Sequence, residues 1–396
     1  MTRSPLLPVS EALQRLLALG HSTDRVELPL REAAGRWAAS DIGALRTQPD
    51  ADLSAMDGYA IRFADMPGPW RVVGESAAGH RHDRPVNAGE AVRIFTGAAL
   101  PAGTDTVLVQ EEARREGEML YLDGEGPAHL ARNVRRCGLD FGEGDMLIAA
   151  GERLTPARLA LAAVGGHGAV PVRRRVRVAI AATGDELVPA GQPITPGQLP
   201  ESNGVMLTAL IGDLPCHTID LGILPDNRAD LEAAFAAVDA DILVTTGGAS
   251  VGDHDLVRPA LEACGGTIDF WRIALRPGKP MMAGRMRDTV LLGLPGNPVS
   301  AFVTATLFLR PLIAAMSGAR GVMHRTITAP LGEDLPANGE RTDYMRAARI
   351  DGGVFAAAIQ DSSMLRTLAR ADCLIVREPH DPARKKGDSV EILPIA

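Results

Sequence analysis

Hydrophobic and polar positions change their spacing several times along the chain. Near the N-terminus, apolar residues recur at helical spacing from Ser10 to Leu19, which predicts a helix capped by Ser10 and ended by Gly20. Between about residues 45 and 145, short β-type runs are separated by Gly and Pro, which predicts a β-rich module. Helical spacing resumes after Thr155, so the β-rich module is predicted to be an insertion.

The next segment, from residue 175 to about residue 315, alternates strands, glycine-bearing loops and helices. The predicted elements are strands at 175–183, 241–246 and 289–294 and helices at 203–213 and 227–238. Apolar strands that alternate with helices indicate a parallel sheet with helices on both faces, and ligands bind beyond the carboxyl ends of such strands. The last eighty or so residues return to short strands and predict a compact β domain.

Charge and cysteine content narrow the possible partners. The net charge of −8 is spread through mixed-sign sequence, which argues against nucleic-acid binding and leaves small anions to a local pocket. The four cysteines lie far apart without a Cys-x-x-Cys pair, so we expect no zinc knuckle or disulfide framework and a cytoplasmic location. The apolar stretch "AFVTATLFLRPLIAAM" contains Arg310 and Pro311 and is predicted to be too short to span a membrane.

Each predicted strand of the α/β segment ends in a polar loop: "ATGDEL", "TGGASVGDHD" and "LPGNPVS". Such loops meet at one edge of a parallel sheet. In the third loop, Asn297 suits a helix cap, Pro298 the first helical turn and Gly296 the close approach of a ligand, which predicts a phosphate site. A tight strand-to-helix turn is the alternative. "RPGKP" adds Arg276 and Lys279 on a proline-stiffened turn, suited to an oxyanion or simply solvated.

Carboxylates accompany these anion-binding loops, although carboxylates repel phosphate. Glu186, Asp253 and Asp255 are explained if a divalent cation such as Mg²⁺ lies between them and a substrate phosphate. Helix capping is the alternative for Asp185 or Glu186, and also for Asp226 in "LPDN".

Three further motifs lie in the β-rich part: "SAMDGYAIR", "RIFTGAALPAGTDTV" and "RRCGLDFGEGD". They place Asp57, Thr96 and Asp140 in turns, for which a plain hairpin is the alternative. The chain has no Gly-x-Ser-x-Gly, Walker or dinucleotide fingerprint, which removes the commonest hydrolase, P-loop and Rossmann oxidoreductase functions.

Taken in order, "SAMDGYA", "IFTGAALPAGTDTVL", "RRCGLDF", "ATGDEL", "SNG", "LPDN", "TTGGASVGDHD", "RPGKP" and "GLPGNPVSAF" resemble the molybdopterin molybdenumtransferase family, which includes the E domain of gephyrin. The resemblance covers nearly the whole chain and implies four domains in a homodimeric subunit. The implied domains are a helical scaffold (1–44 and 146–174), an inserted β-rich domain (45–145), a molybdopterin-binding α/β domain with a mostly parallel sheet (175–322) and a C-terminal β-barrel-like domain (323–396).

The resemblance also implies a reaction. Molybdate and adenylylated molybdopterin are the substrates, and a divalent cation such as Mg²⁺ assists cleavage of the adenylate, with release of AMP. The active cleft is expected between the α/β domain of one subunit and the β-rich domain of the other. Implied partners are a molybdopterin adenylyltransferase and the molybdoenzymes or chaperones that accept the cofactor; nucleic acid and membrane are not expected.

Carried over residue by residue, the family's site falls on named positions. The catalytic residues implied are Asp57, Thr96, Glu186, Asp226 and Asp255. The substrate-binding residues implied are Asp140, Gly247, Gly248, Ser250, Arg276, Lys279, Pro295, Gly296, Asn297 and Pro298. The metal ligands implied are Glu186, Asp253 and Asp255. Typical members carry Lys at the position of Arg276 and Val at that of Ala249; Arg346 and Ser363 receive no role.

Two other functions compete with molybdenum insertion. A molybdopterin adenylyltransferase shares the "TTGG…GDHD" loop but is usually little more than the α/β domain, whereas this chain has a long N-terminal half. A non-catalytic cofactor carrier or scaffold is the other, and the presence of Asp57, Glu186, Asp226 and Asp255 argues against it.

Overall fold

The computed structural model describes residues 6–247 and 256–395. Its first elements are α1 (Val9–Leu19), β1 (Arg25–Pro29), a 3₁₀ turn (Leu30–Glu32) and β2 (Ile42–Gly43). The predicted cap is wrong, because α1 begins one residue before Ser10 and has Pro8 at its N-cap, without a side-chain hydrogen bond. Gly20 ends the helix as predicted, with its N–H donating to the Leu17 carbonyl oxygen.

The β-rich insertion follows β2. Its strands are β3 (Leu53–Ser54), β4 (Gly58–Ile61), β5 (Trp70–Ser76), β6 (Glu90–Ile94), β7 (Thr106–Val109), β8 (Ala113–Glu116), β9 (Met119–Leu122) and β10 (Val134–Arg135), with 3₁₀ turns at Phe63–Asp65 and Gln110–Glu112. Six of them form one sheet in the order β7-β4-β6-β5-β9-β8, and β3 pairs with β10. Trp70, Ile61 and Leu120 are fully buried and give this module its own small core.

The chain then returns to the scaffold. The returning elements are β11 (Met146–Ile148), α2 (Pro156–Val164) and β12 (Ala169–Arg173). β11 pairs with β2 and β12 pairs with β1, so the insertion leaves and re-enters through neighbouring strands. Thr155 caps α2 as predicted, since its hydroxyl accepts from the Arg158 N–H.

The α/β domain contains a second six-stranded sheet and most helices of the described chain. Its elements are β13 (Val176–Thr183), β14 (Leu187–Val188), β15 (Leu199–Pro200), α3 (Asn203–Ile211), β16 (Cys216–Leu224), α4 (Arg228–Ala236), β17 (Ile242–Thr246), α5 (Val257–Ala263), β18 (Gly266–Arg272), β19 (Leu275–Arg276), β20 (Pro280–Met286), β21 (Thr289–Leu294), α6 (Pro298–Thr304), a π-helical turn (Ala305–Leu309) and α7 (Arg310–Met316). The sheet order is β16-β13-β17-β21-β20-β18.

This sheet is mostly parallel, as predicted. The first four strands in that order run parallel, whereas β20 and β18 are antiparallel to their neighbours. Strands β16, β18 and β20 were not predicted. Side chains alternate between two cores: Val178 and Ile180 face the core that holds α3, α6 and α7, and Ala179 faces the core that holds α4 and α5. Helices on both faces are thus confirmed.

The apolar stretch "AFVTATLFLRPLIAAM", predicted to be too short for a membrane span, belongs to a longer helix. In the described part of the chain, one helix (298–316) has the length and apolar composition of a membrane span, and 78% of that window is buried inside the fold. It is longer than the sequence suggested, because it begins at Pro298 and continues through the π-helical turn. Phe308, Leu312 and Ile313 pack in the main core, so the helix is a central packing element.

The C-terminal domain contains a third six-stranded sheet, which is also mixed. Its elements are β22 (Ile327–Pro330), β23 (Thr342–Ile350), β24 (Gly353–Ala356), α8 (Leu365–Leu368), β25 (Cys373–Arg377) and β26 (Ser389–Pro394). β19 pairs with β23 in parallel, with Leu275 opposite Thr342 and Arg276 opposite Asp343. The beginning of "RPGKP" therefore belongs to the C-terminal sheet rather than to the α/β sheet.

Candidate functional site

Four neighbouring parallel strands end side by side. In register, Thr183 at the end of β13 lies opposite Leu224, and Thr246 at the end of β17 lies opposite Leu294. We call the loops after these four residues the carboxyl edge. Gly247 opens one of these loops with a φ of +89°, and a Cβ there would lie 2.5 Å from the Thr183 carbonyl oxygen, so glycine is required. The strand ends that lead into "ATGDEL", "TGGASVGDHD" and "LPGNP" meet at one edge, as predicted, and the strand that leads into "LPDN" joins them; the second loop is described only as far as Gly247.

The carboxyl edge holds an acidic group, Asp185, Glu186 and Asp226. The Asp226 N–H donates to Asp185 Oδ1 at 3.0 Å. Burial and the negative charges of Asp185 and Glu186 raise the pKa of the Asp226 carboxyl. The capping alternatives were wrong, because Asn227 caps α4 and because strand β14, not a helix, follows Glu186. The group is therefore a concentration of negative charge that a cation would relieve.

Pro295 to Pro298 form the turn from β21 into α6. Pro295 is buried, Asn297 occupies the N-cap position, and Pro298 is the first helical residue, as predicted. The Asn297 side chain makes no capping hydrogen bond, however, and the Val299 N–H donates to the Ser362 carbonyl oxygen of the C-terminal domain at 3.0 Å. One of the free N–H groups that the predicted phosphate site relied on is thus already occupied.

Asn203 also lies at the carboxyl edge, although it was not predicted as a site residue. It is the first residue of α3, and its Nδ2 donates to the Gly296 carbonyl oxygen at 2.8 Å. A Cβ on Gly296 would lie 3.5 Å from the Gly247 Cα, so the glycine turns of β17 and β21 are in contact. The "SNG" motif contained this signal, because a polar residue at a helix start often bonds to a nearby backbone group.

The "RPGKP" turn lies between α6 and the C-terminal sheet. An Arg276 guanidinium nitrogen lies 3.4 Å from a carboxylate oxygen of Asp343, which is mostly buried. A Cβ on Gly278, which has a φ of +112°, would lie 2.5 Å from the Thr304 side chain of α6. Lys279 is exposed. Arg276 is exposed as well, but its guanidinium already has a carboxylate partner.

A cavity of about 450 Å³ lies beside the acidic group. Ala182 of β13, Leu187 of β14 and Ile223 of β16 line its apolar side, and Glu201 and Asp220 add carboxylates. This volume is in the range of small-molecule pockets, and a mainly apolar lining with a few polar groups suits a heterocycle.

Asp57 and Thr96 lie together in the β-rich insertion. Asp57 Oδ1 accepts from the Thr96 backbone N–H at 2.8 Å and from its hydroxyl at 2.7 Å. These two bonds lower the pKa of Asp57, with a further contribution from the positive charge of Arg93. The carboxylate is therefore held ionised and oriented. Asp140 is exposed on another turn, which its backbone N–H ties to the Gln48 carbonyl oxygen at 3.0 Å.

Several predicted site residues are not brought together. Across residues 6–247 and 256–395, no hydrogen bond or ion pair joins Asp57, Thr96 or Asp140 to the carboxyl edge. Within the same residues, no three His, Cys, Asp or Glu side chains are arranged to hold a metal ion. Gly248, Ser250, Asp253 and Asp255 lie outside the described residues.

Arg346 is buried and structural, with only 1% of its surface exposed. Its guanidinium donates to the Ile359 and Met364 carbonyl oxygens, and its backbone N–H donates to Gln360 Oε1. These bonds hold the segment that delivers Ser362 to α6. Ser363 bonds to Asp361 through its N–H and its hydroxyl, in that same segment.

Comparison with protein families assigns almost the whole chain. Residues 7–166 match the MoeA N-terminal region (domain I and II). Residues 179–315 match a probable molybdopterin binding domain, and residues 328–395 match the MoeA C-terminal region (domain IV).

Full-length relatives give the same result. The chain is 36% identical to a molybdopterin molybdenumtransferase of Haemophilus influenzae, over 98% of each chain. It is 34% identical to a protein of the same name from a Nostoc species, over 95% of this chain and 90% of the relative. The crystal structure of the molybdopterin biosynthesis MoeA protein from Pyrococcus horikoshii superimposes with a TM-score of 0.85 at 29% identity, covering 99% of this chain and 100% of that one.

Proposed function

The chain belongs to the molybdopterin molybdenumtransferase family, as its motifs predicted, and we propose that its carboxyl edge is where molybdenum enters molybdopterin. The protein is a transferase of molybdenum cofactor biosynthesis. One observation carries the placement of the reaction: four strand ends meet, with the acidic group on one side and the Gly247 and Gly296 turns on the other.

The residues divide into three roles. Adenylylated molybdopterin lies along the carboxyl edge, with one heterocycle in the cavity beside β13 and β16. Its phosphates face the glycine turns, where backbone groups can approach closely. Lys279 and Arg276 hold molybdate or phosphate. Water cleaves the phosphoanhydride: a new P–O bond forms as the P–O–P link breaks, AMP leaves and one phosphate stays on molybdopterin. The two dithiolene thiols bind molybdenum, and one molybdate oxygen leaves as water with the two thiol protons.

Mg²⁺ or a similar divalent cation fits the acidic group chemically. Burial, together with repulsion from Asp185 and Glu186, raises the pKa of Asp226, and a bound cation would offset that repulsion. Glu186, with Asp253 and Asp255, is the proposed ligand set; bound there, the cation would offset negative charge on the substrate phosphates. Asp226 is not part of this ligand set. Its proposed role is that of an ionised carboxylate close to the cation and the substrate.

Asp57 and Thr96 are proposed to act across a dimer interface. The Asp57 carboxylate is already oriented by Thr96, and it is separate from the carboxyl edge within one chain. A second subunit would present this pair, with Asp140, to the carboxyl edge of the first. We also propose a cytoplasmic location, which the four free thiols support, and exchange of substrate and product with a molybdopterin adenylyltransferase and with cofactor acceptors or their chaperones.

The test is release of AMP by the purified protein supplied with adenylylated molybdopterin, molybdate and Mg²⁺. We expect AMP release and active cofactor, and we expect Asp57→Ala and Glu186→Ala each to lower the rate by at least about 100-fold. No AMP release despite confirmed substrate binding would contradict insertion. Normal rates in both variants would indicate a carrier instead. In a separate incubation with ATP and unadenylylated molybdopterin, attachment of AMP to molybdopterin would indicate an adenylyltransferase.

A further inference from the structure

Arg93 lies beside the Asp57–Thr96 pair and contacts both segments that carry it. It lies on β6 directly opposite Tyr59 of β4, and its guanidinium carbon is 5.1 Å from the centre of the Tyr59 ring. The ring of Phe95, which precedes Thr96, has its centre 4.8 Å from the same carbon. Guanidinium groups are attracted to aromatic faces at such distances. One side chain therefore joins β4, which follows Asp57, to the end of β6, which precedes Thr96.

Hydrogen bonds add to this connection. Arg93 Nη1 donates to the Gly58 carbonyl oxygen at 3.0 Å, and Nη2 donates to Gln110 Oε1 at 2.6 Å. The Gln110 backbone N–H in turn donates to the Asp57 carbonyl oxygen at 3.1 Å. A planar guanidinium directs two nitrogens to two acceptors at once, which the single ammonium group of a lysine does not do. The backbone of Asp57 and Gly58 is thus held by Arg93 and Gln110 together.

The orientation of the Asp57 carboxylate depends on how these two segments are held against each other. Across residues 6–247 and 256–395, Thr96 is the only residue that donates hydrogen bonds to this carboxylate. Asp57 comes directly before β4, whereas Thr96 comes directly after β6 and Phe95. The two bonds between them consequently require that the start of β4 and the end of β6 keep their relative position.

We infer that Arg93 is a positioning residue for molybdenum insertion, whose guanidinium fixes the Asp57 segment against the Thr96 segment and so keeps the Asp57 carboxylate in its reactive orientation. The inference rests on the proposed function, which assigns Asp57 to catalysis. A displacement of about 1 Å in a reacting group can lower a rate by about 100-fold, so a residue behind the carboxylate can control the reaction. The positive charge of Arg93 also lowers the pKa of Asp57, after the larger contributions of the Thr96 bonds.

The experiment compares wild type, Arg93→Met and Arg93→Lys in AMP release and in the titration of Asp57. Arg93→Met loses both donors and should lower kcat by about 10- to 100-fold with KM unchanged, because a reacting group moves while substrate contacts stay. Arg93→Lys keeps the charge without the planar fork, and should lower kcat by about tenfold. Carboxyl-carbon NMR without substrate should show a higher pKa of Asp57 in both variants, since the Thr96 bonds loosen.

Arg114→Met is the matched control. Arg114 lies opposite Tyr121 in the β8–β9 pair, with its guanidinium carbon 5.0 Å from the ring centre, and it forms an ion pair with Glu116. This stacking repeats that of Arg93 on Tyr59 within the same sheet. In the described part of the chain, the Arg114 guanidinium bonds to Glu116 and not to the Asp57 or Thr96 segment. The control should lower thermal stability and leave kcat and the pKa of Asp57 unchanged.

The outcomes for Arg93 and for the proposed function are distinguishable. Wild-type kcat and Asp57 pKa in Arg93→Lys would overturn the inference, because charge alone would then suffice. An unchanged Asp57 pKa in Arg93→Met, or an equal fall of kcat in Arg93→Met and Arg114→Met, would overturn it too. Wild type that releases no AMP, with an Asp57 pKa that still depends on Arg93, would contradict the proposed function and support Arg93 as the residue that orients Asp57.

Discussion

At the scale of single residues, Asp226 shows how the fold creates chemistry from separated positions. It lies 41 residues from Asp185 in sequence, yet its N–H donates to that side chain. Its pKa is raised by burial and by two neighbouring carboxylates, whereas the pKa of Asp57 is lowered by two bonds from Thr96. Two aspartates of one proposed site therefore have opposite shifts, and each has an identifiable structural cause.

Removing one neighbour should change Asp226 in a known direction. In Glu186→Gln the pKa of Asp226 should fall towards its ordinary value, since one source of repulsion is gone. Because the folded-state pKa is raised, protonated Asp226 favours folding at low pH, and that contribution is lost as the pH rises through the raised pKa. Carboxyl-carbon NMR titration measures the shift. Glu201→Gln, a carboxylate of the adjacent cavity, is the control and should leave the pKa of Asp226 in place.

At the scale of elements, the "RPGKP" turn connects the C-terminal sheet, through β19, to the α/β sheet, through β20. Arg276 is in register with Asp343 of the C-terminal sheet, and Gly278 rests against Thr304 of α6. The two cations of the turn are thus positioned by packing against both domains. A second contact joins α6 to the C-terminal domain, since the Val299 N–H in the first turn of α6 donates to the Ser362 carbonyl oxygen.

Gly278→Ala tests how closely this turn is packed. The new methyl group would meet Thr304 at 2.5 Å at a φ of +112°, so we expect a loss of about 1–3 kcal/mol in the free energy of unfolding beyond the backbone cost. Gly197→Ala is the matched control, because Gly197 has a φ of +93° with no atom within 4 Å and should show only the backbone cost of about 1–2 kcal/mol. Scanning calorimetry compares them, and equal losses would show that Thr304 moves aside freely.

At the scale of the whole molecule, the distribution of site residues is the informative feature. Asp57 and Thr96 belong to the insertion, and Glu186 and Asp226 belong to the α/β domain. If a complete site requires both groups from different subunits, then two inactive variants can complement each other.

Asp57→Ala and Glu186→Ala, co-expressed with different tags and purified together, should regain activity. With random pairing, half of the dimers are mixed and each has one intact site, so AMP release should reach about a quarter of the wild-type rate. The control mixes Asp57→Ala with Asp57→Asn, in which both sites of every dimer are damaged. Light scattering should give twice the 41.7 kDa of one chain. A monomer, or a mixture with no regained activity, would contradict a site shared between subunits.

Local sequence predicted the elements that carry a strong local signal. The strand ending at Thr183, the cap at Thr155 and the proline start of α6 were all recognised, because hydrophobic period and capping chemistry depend on adjacent residues. The antiparallel strands β18 and β20 were missed, since strand direction depends on pairing between distant segments. Arg346 was left without a role, because its partners Ile359 and Met364 are identifiable only in three dimensions.

By itself, the sequence determined the family, the α/β pattern of the middle segment and the positions at which polar loops follow strands, because these depend on motif order and on short-range periodicity. Tertiary structure alone decided that Asp226 joins Asp185 and Glu186, that Ser362 takes a donor from the α6 N-terminus, and that Arg93 joins the segments of Asp57 and Thr96. The physical reason is that charge repulsion, burial and hydrogen-bond satisfaction are properties of neighbours in space, and those neighbours come from segments that only the folded chain brings together.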